Sequence, residues 1–449
     1  MGNPTLTVGI DIGTTSVKAV AATGDGTIVR RARVVHALRA PSPHVFEHDP
    51  VAAWRDGVLA AWSAVGGDDV AAVTVSAMVP SLCGVDSDGT PVTAGLLYGD
   101  ARGRDRTGTE DAGGVSGEIV GFARALRRET GVVGLWPAQA VANHALCGVA
   151  AIDTATAMTA MPLFDGVGWD ATLCDDLGVD PDALPGLSPG AAAIGSVRIG
   201  ASGEALVSGG TIDALAEQTV ADAGDPGDVL VVCGTTLIPW AITDEWREVD
   251  GLWTVPYAAP GAIAIGGASN AGGLFLDHVR RMVGDPDPTE LARLDPGDLP
   301  VWLPYLRGER TPLHDPDRRA GLHDLGLGHA APHVLRAAYE ASGFVVRHHL
   351  DLAATSPTRL VATGGGTRSP AWMQALADCT GLPVDVAAVP EGAALGAAFT
   401  SRLTAGLEPD ATAARGWSPT GHRVEPRHDW VDACHARYER FRRLTEESS

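Results

Sequence analysis

The chain has 449 residues, 45% of them hydrophobic, and a formal charge of −22. That length exceeds what one hydrophobic core usually holds and predicts two domains of roughly 200 residues each. The acidic balance argues against nucleic-acid partners and anionic membrane surfaces, which need clustered basic charge, so an anionic ligand has to be bound locally, by loops.

Residues 6–12 read as an apolar strand, 17–22 as a second, and 27–35 as a third after the Gly24-Asp25-Gly26 turn. The triplet Gly13-Thr14-Thr15 links the first two. Residues 70–75 read as a buried strand, 84–89 as a hairpin leading toward Tyr98, and the Gly-rich, acidic stretch 108–117 as a loop. Asp213 precedes a helical stretch, 214–221. The turn residues Gly224-Asp225-Pro226-Gly227-Asp228 mark a boundary, giving domains 1–224 and 225–449. Strand 228–233, the triplet Gly234-Thr235-Thr236 and strand 237–243 then repeat the opening layout at an offset of 221 residues, Gly13 to Gly234. This is a duplicated half, not a short repeat array. Residues 333–352 carry Val334, Ala337, Ala338, Ala341 and Val345 at helical spacing and predict a buried helix. Ser369 reads as an N-cap with Pro370 at the first helical position and Gly381 past the end, so this helix starts at the Gly364-Gly365-Gly366 loop. Residues 431–444 predict a basic amphipathic helix packed back on the body.

Six cysteines without a C-x-x-C pair or metal-finger spacing predict reduced thiols and no structural zinc. No apolar run is long enough to span a bilayer, and Met1-Gly2-Asn3-Pro4 opens no targeting segment, which predicts a cytoplasmic protein.

Glycine followed by two threonines between strands presents backbone N–H groups and two hydroxyls with little steric cover, which suits phosphate oxygens. The spacing is not that of a P-loop. Asp11 puts a carboxylate beside the turn, where it could hold a magnesium ion through water; the same residues also make an ordinary turn, and the duplication favours the phosphate reading. Lys18 is the only lysine in the chain and lies three residues after Thr15. It reads either as a phosphate contact or as a leftover surface residue. Gly364-Gly365-Gly366 can lie flat against a planar ligand or serve as a permissive turn, and Asp213 reads as a functional carboxylate or an N-cap.

Together these segments resemble the FGGY carbohydrate kinases of the actin-like ATPase superfamily, over nearly the whole length. Residues Gly9 to Lys18 resemble the family's first phosphate motif and Gly227 to Thr236 the second. Pro304-Tyr305-Leu306-Arg307-Gly308-Glu309-Arg310-Thr311-Pro312 is similar to a signature segment, Arg336 through Glu340 to the helix after it, and Thr363 to Ser369, Ala377-Asp378 and Glu391 to Ala398 to the adenosine site and its closing helices. The resemblance implies an α/β fold of two actin-like (ribonuclease H-like) domains with a catalytic cleft between them, a sugar-binding first domain and a nucleotide-binding second. It implies ATP-dependent phosphorylation of a sugar hydroxyl, a ketose such as a pentulose or a polyol, with ATP and magnesium as cofactors. Asp213 would be the general base. Gly13, Thr14, Thr15, Lys18, Gly234, Thr235, Thr236, Gly272, Gly365, Gly366 and Ser369 would bind ATP. Met78, Tyr98, Asp100 and Asp213 would meet the sugar, with Arg102 framing the pocket, and Asp11 and Asp213 the metal. The expected partner is a small-molecule sugar; a homodimer is left open. Val79 stands where xylulose kinases carry His, Ala214 where Asn often follows the base, and the 135–165 region is shorter than in most members, with Trp136 filling space. These departures leave the sugar unassigned and keep a second reading, a catalytically idle sensor of sugar or nucleotide.

Overall fold

The computed structural model describes residues 5–42, 45–103, 118–200, 203–257 and 261–447. The loop expected at 108–117 lies outside the described residues. Two compact units form: residues 1–220 with 391–417, and 221–390 with 418–449.

The first unit is built on a sheet of β1 (Leu6–Ile12), β2 (Ser16–Ala22), β3 (Ile28–Val35), β4 (Val70–Ala77), β5 (Ala193–Ile199), β6 (Gly203–Ser208) and β7 (Thr211–Ile212), in the order β5-β6-β4-β1-β2-β3, with β7 also pairing β4. β1 is buried at every position, as a mostly apolar central strand should be, with Thr7 and Asp11 its polar residues. β3 alternates and carries Arg30, Arg31 and Arg33, charges that suit an edge strand. β1 pairs antiparallel with β2 and parallel with β4, and β7 pairs parallel with β4 on the other side. The helix Gly392–Thr404 returns to this unit and packs on β1 and on the helix Asp213–Val220. Contact is close enough that a Cβ on Gly9 would fall 1.9 Å from the carbonyl oxygen of Ala394, and one on Gly396 would fall 1.8 Å from that of Ala216.

The second unit repeats the plan. Its sheet runs β10 (Trp253–Pro256), β11 (Ile263–Gly266), β9 (Leu237–Thr243), β8 (Asp228–Cys233), β12 (Arg359–Thr363), β13 (Val384–Ala387), β14 (Thr420–Val424). β8 pairs antiparallel with β9 and parallel with β12, as β1 does with β2 and β4. The repeat read from two Gly-Thr-Thr triplets is therefore a repeat of sheet topology. The helix expected at 333–352 spans Ala331–Ala353, and that expected at 369–380 spans Pro370–Thr380, capped by Ser369 and closed by Gly381 in the left-handed region. The C-terminal helix is longer than its periodicity suggested, His428–Glu447. It is fastened by a buried charge network: Arg336 bonds Glu340 and Asp378 at 3.1 and 2.8 Å, and Arg437 and Arg427 reach the same two carboxylates at 2.7 and 2.6 Å. Trp430 stacks against both Arg336 and Arg427.

Candidate active site

In the first unit three strand ends meet at one edge of the sheet. The register sets Asp11 of β1 beside Ser76 of β4, and Ser76 beside Thr211 of β7. The residues that leave these strands are the Gly13-Thr14-Thr15 turn, Met78 and Asp213. Ligands in sheets of this kind bind outside the carboxyl ends of the parallel strands. Asp11 is 5% exposed; its Oδ1 accepts from the Ser76 hydroxyl at 3.3 Å and its Oδ2 lies 4.0 Å from Lys18 Nζ, the residue opposite it on β2. Burial raises the Asp11 pKa, opposed by the Lys18 ammonium and the Ser76 hydroxyl.

The turn is held from behind. The Thr14 carbonyl accepts from His48 Nε2 at 2.8 Å, and His48 Nδ1 accepts from Trp54 Nε1 at 3.0 Å. A carbonyl partner on one ring nitrogen and an indole N–H on the other fix a single neutral tautomer. Burial agrees, lowering the His48 pKa to about 4. Neither His48 nor Trp54 lies near a motif, and nothing in the sequence pointed to them.

Asp213 is half-buried at the first position of its helix, with Oδ1 accepting the Ala214 N–H at 2.7 Å. Tyr98 is buried, its hydroxyl 3.3 Å from the Thr14 hydroxyl and its ring edge-on to Phe46. Met78 is buried as well. Asp100 is engaged by its own chain: Oδ2 accepts from Phe46 N and Arg102 Nη2, both at 2.7 Å, and Oδ1 from Arg102 N and Nε, both at 2.9 Å. Four donors fill a carboxylate's accepting capacity. Arg102 also bonds Glu47 at 2.6 Å. Trp136, expected to fill space, packs against His144 and donates to the Ala183 carbonyl at 3.1 Å.

In the second unit the Gly234-Thr235-Thr236 turn and the Gly364-Gly365-Gly366 loop leave the neighbouring parallel strands β8 and β12 at the same edge. Cys233 pairs with Leu237 where Ile12 pairs with Val17, so the second turn is shorter than the first. The carbonyls of Gly234 and Thr235 accept from Gly273 N and Leu274 N at 2.9 and 3.1 Å, seating the start of the helix Gly273–Val283 on the turn. Gly272 has to be glycine there: a Cβ would fall 2.3 Å from the Thr236 carbonyl carbon. Gly364 has φ +89°, and a Cβ on Gly366 would lie 2.2 Å from the Trp372 ring, so packing already demands two of the three loop glycines; Gly365 is more open. Ser369 caps its helix at Trp372 N and lies 3.4 Å from the Tyr339 hydroxyl. A cavity of about 260 Å³ opens beside the turn, lined among others by Thr235, Thr236, Asn270, His278 and Arg281.

Glu309 anchors this wall. Its carboxylate accepts from the Ser269 hydroxyl at 2.6 Å, Asn270 N at 2.8 Å and Arg310 N at 2.7 Å, and Asn270 Nδ2 donates to the Gly308 carbonyl at 3.0 Å. Burial pushes the Glu309 pKa up to about 7 despite these donors and the Arg310 charge. A carboxyl raised in the folded state favours folding fully below its ordinary pKa and loses that contribution as pH rises through the folded value. Stability is therefore expected to fall by on the order of 2–3 kcal/mol across this window. Glu309→Gln should flatten the slope: thermal melts from pH 5 to 8 should show the variant gaining on the natural chain as pH rises, and parallel curves would refute the assignment. Glu309 lies in the segment singled out at 304–312, but its bonds to Ser269 and Asn270 were not legible.

Among the described residues no three His, Cys, Asp or Glu side chains group as a metal site, and no helix is long and apolar enough to cross a membrane. Magnesium beside phosphates needs only one or two protein carboxylates; Asp11, in β1, and Asp213, directly after β7, stand on strands that both pair with β4, which lies between them. All six cysteines are free.

The two sheets with repeated topology make this a two-domain protein of the actin-like ATPase fold. The solved xylulose kinase from Rhodospirillum rubrum superposes with a TM-score of 0.78 at 25% identity, covering 98% of each chain. The FGGY family of carbohydrate kinases matches by its N-terminal domain over residues 6–107 and by its C-terminal domain over 229–402, and the chain belongs to that family. It is 26% identical to the gluconokinase of Bacillus subtilis (strain 168), over 89% of this chain and 87% of the relative, and 27% identical to the xylulose kinase of Streptomyces rubiginosus, over 94% and 92%.

Proposed function

We propose that the protein transfers a phosphoryl group from ATP to a hydroxyl of a small sugar, a ketose such as a pentulose or a polyol, with Asp213 as general base. The observation that carries this reading is the convergence of Asp213, Met78, Asp11 and the first Gly-Thr-Thr turn at the ends of three adjacent strands. When bound, ATP supplies the phosphoryl group, and magnesium neutralises charge on its oxygens. Asp213 orients the sugar hydroxyl and takes its proton. Met78 and Tyr98 shape the sugar side, and Asp100, with its oxygens already filled, acts by holding Arg102 in place. Asp11 and Asp213 are the carboxylates available to a metal ion. In the second unit Gly234, Thr235, Thr236, Gly272, Gly365, Gly366 and Ser369 form the nucleotide side, as Gly13, Thr14, Thr15 and Lys18 do in the first. The relatives' names, gluconokinase and xylulose kinase, support sugars and sugar acids as the compounds to try.

A coupled ADP-release screen over ketoses, polyols and sugar acids tests the reading. A rise with one class names the substrate class; no rise across the panel would favour the sensor. Lys18→Ala should weaken ATP binding about tenfold, the size of one charge-assisted contact, in a calorimetric titration. Unchanged affinity would leave Lys18 as the partner of Asp11 alone.

A further inference from the structure

The segment that carries Asp213 is pliable in sequence and rigid in structure. It begins Gly209-Gly210, and Gly210 has φ +104°, in the region that favours glycine. Two glycines ahead of a two-residue strand leave the carbonyls of this segment free to rotate unless something holds them. The helix Ala138–Cys147 supplies the hold. Asn143 Nδ2 donates to the Gly209 carbonyl at 3.0 Å and to the Ala151 carbonyl at 2.9 Å. Gln139, one turn earlier on the same helix face, directs Nε2 at the Thr211 and Ala77 carbonyls, each at 3.4 Å. Ala77 is the last residue of β4, immediately before Met78. With only carbonyls in front of each amide nitrogen, the orientation of both amides is fixed by their partners.

Both side chains are fully buried, and among the described residues Asn143 Oδ1 and Gln139 Oε1 have no hydrogen-bond partner. A buried acceptor left without a donor costs about 1–3 kcal/mol. An apolar pair on this face would avoid that cost but would take the donors away from the Gly209, Ala151, Thr211 and Ala77 carbonyls, so what the two amides supply is a fixed hold on that backbone. We infer that Asn143 and Gln139 are positioning residues: they clamp the Gly209–Thr211 backbone and the end of β4 to one helix and so fix where the Asp213 carboxylate stands relative to the sugar. This rests on the reading of Asp213 as the base.

The test uses the full chain in five forms: natural, Asn143→Ala, Gln139→Ala, Asp213→Asn, and Asn143→Ala combined with Asp213→Asn. Amide hydrogen exchange needs no substrate. Asn143→Ala should raise exchange across 210–214 at least severalfold while the helix Gly57–Val65 stays unchanged, and equal protection across 210–214 would overturn the clamp. Turnover is then measured with the fastest acceptor of the sugar panel, or with water where no sugar exceeds it. A misplaced reacting group costs up to about a hundredfold, so Asn143→Ala should lower kcat by about 10- to 100-fold with KM for ATP little changed, and Gln139→Ala should do so more mildly. In the Asp213→Asn background Asn143→Ala should have almost no further effect, because the two act through one group. An equal loss in both backgrounds, or a fall in melting temperature with kcat unchanged, would contradict the inference. Full turnover by Asp213→Asn alone would instead defeat the base assignment, and the exchange result would still decide whether the clamp exists.

Discussion

Asp213→Ala is expected to reduce sugar-dependent ADP formation by about a thousandfold or more while ATP binding survives. A positioned general base contributes roughly 10²–10⁴-fold, and this carboxylate would also orient the hydroxyl and meet the metal. The side chain is half-buried at the start of its helix and accepts the adjacent Ala214 N–H, so truncation removes the carboxylate without opening the core. Binding should persist because the turn at residues 13–15 is supported by His48 and Trp54, and the second unit's turn by the helix Gly273–Val283. Steady-state ADP release and a calorimetric ATP titration on one preparation check both halves. Activity within a few-fold of the natural chain would remove Asp213 from the mechanism.

The second large effect concerns folding. Gly396→Ala should destabilise the first unit by about 3 kcal/mol or more, because the added methyl meets backbone that cannot move aside. The Cβ would stand 1.8 Å from the Ala216 carbonyl oxygen and 2.8 Å from its Cα, inside the helix Asp213–Val220. On the other face Gly9 has the same restriction against Ala394 and Ala398 of the helix Gly392–Thr404. That helix is joined to the sheet further by Ser401, whose hydroxyl lies 2.7 Å from the Val8 carbonyl and 2.8 Å from the Thr74 hydroxyl. Urea unfolding followed by circular dichroism should show a lower midpoint for Gly396→Ala. A midpoint equal to that of the natural chain would mean the two helices pack less closely than described.

What the sequence disclosed and what it withheld follow from the range of the interactions. The opening strand and both strands around Gly234 were legible to the residue, because mostly apolar runs bounded by Gly-Thr-Thr leave one reading. Ser369, Pro370 and Gly381 marked a helix through local capping chemistry, and the structure uses each in that way. The docking of residues 391–417 with the first unit was not legible, since it depends on Gly9 fitting against Ala394 and Ala398, almost four hundred residues away in sequence, and on Gly396 fitting against Ala216 on the other face of the same helix. Local spacing says nothing about such a pair. The site divides likewise. Asp11 was found at the end of a readable strand and Asp213 ahead of a readable helix, while Met78 came from the resemblance alone; His48, Asn143 and Glu309 were missed as site residues because each acts through backbone groups far along the chain. Asp100 was legible as a residue of the pocket but not as a filled carboxylate, which only its four donors disclose.

The reading as a whole stands on one product. The natural chain, incubated with ATP, magnesium and the sugar that most raises ADP release, should yield by mass spectrometry a sugar heavier by one phosphoryl group, in amounts equal to the ADP, and Asp213→Asn should yield neither above background. ADP formed without a matching sugar phosphate, or sugar phosphate formed equally well by Asp213→Asn, would contradict it.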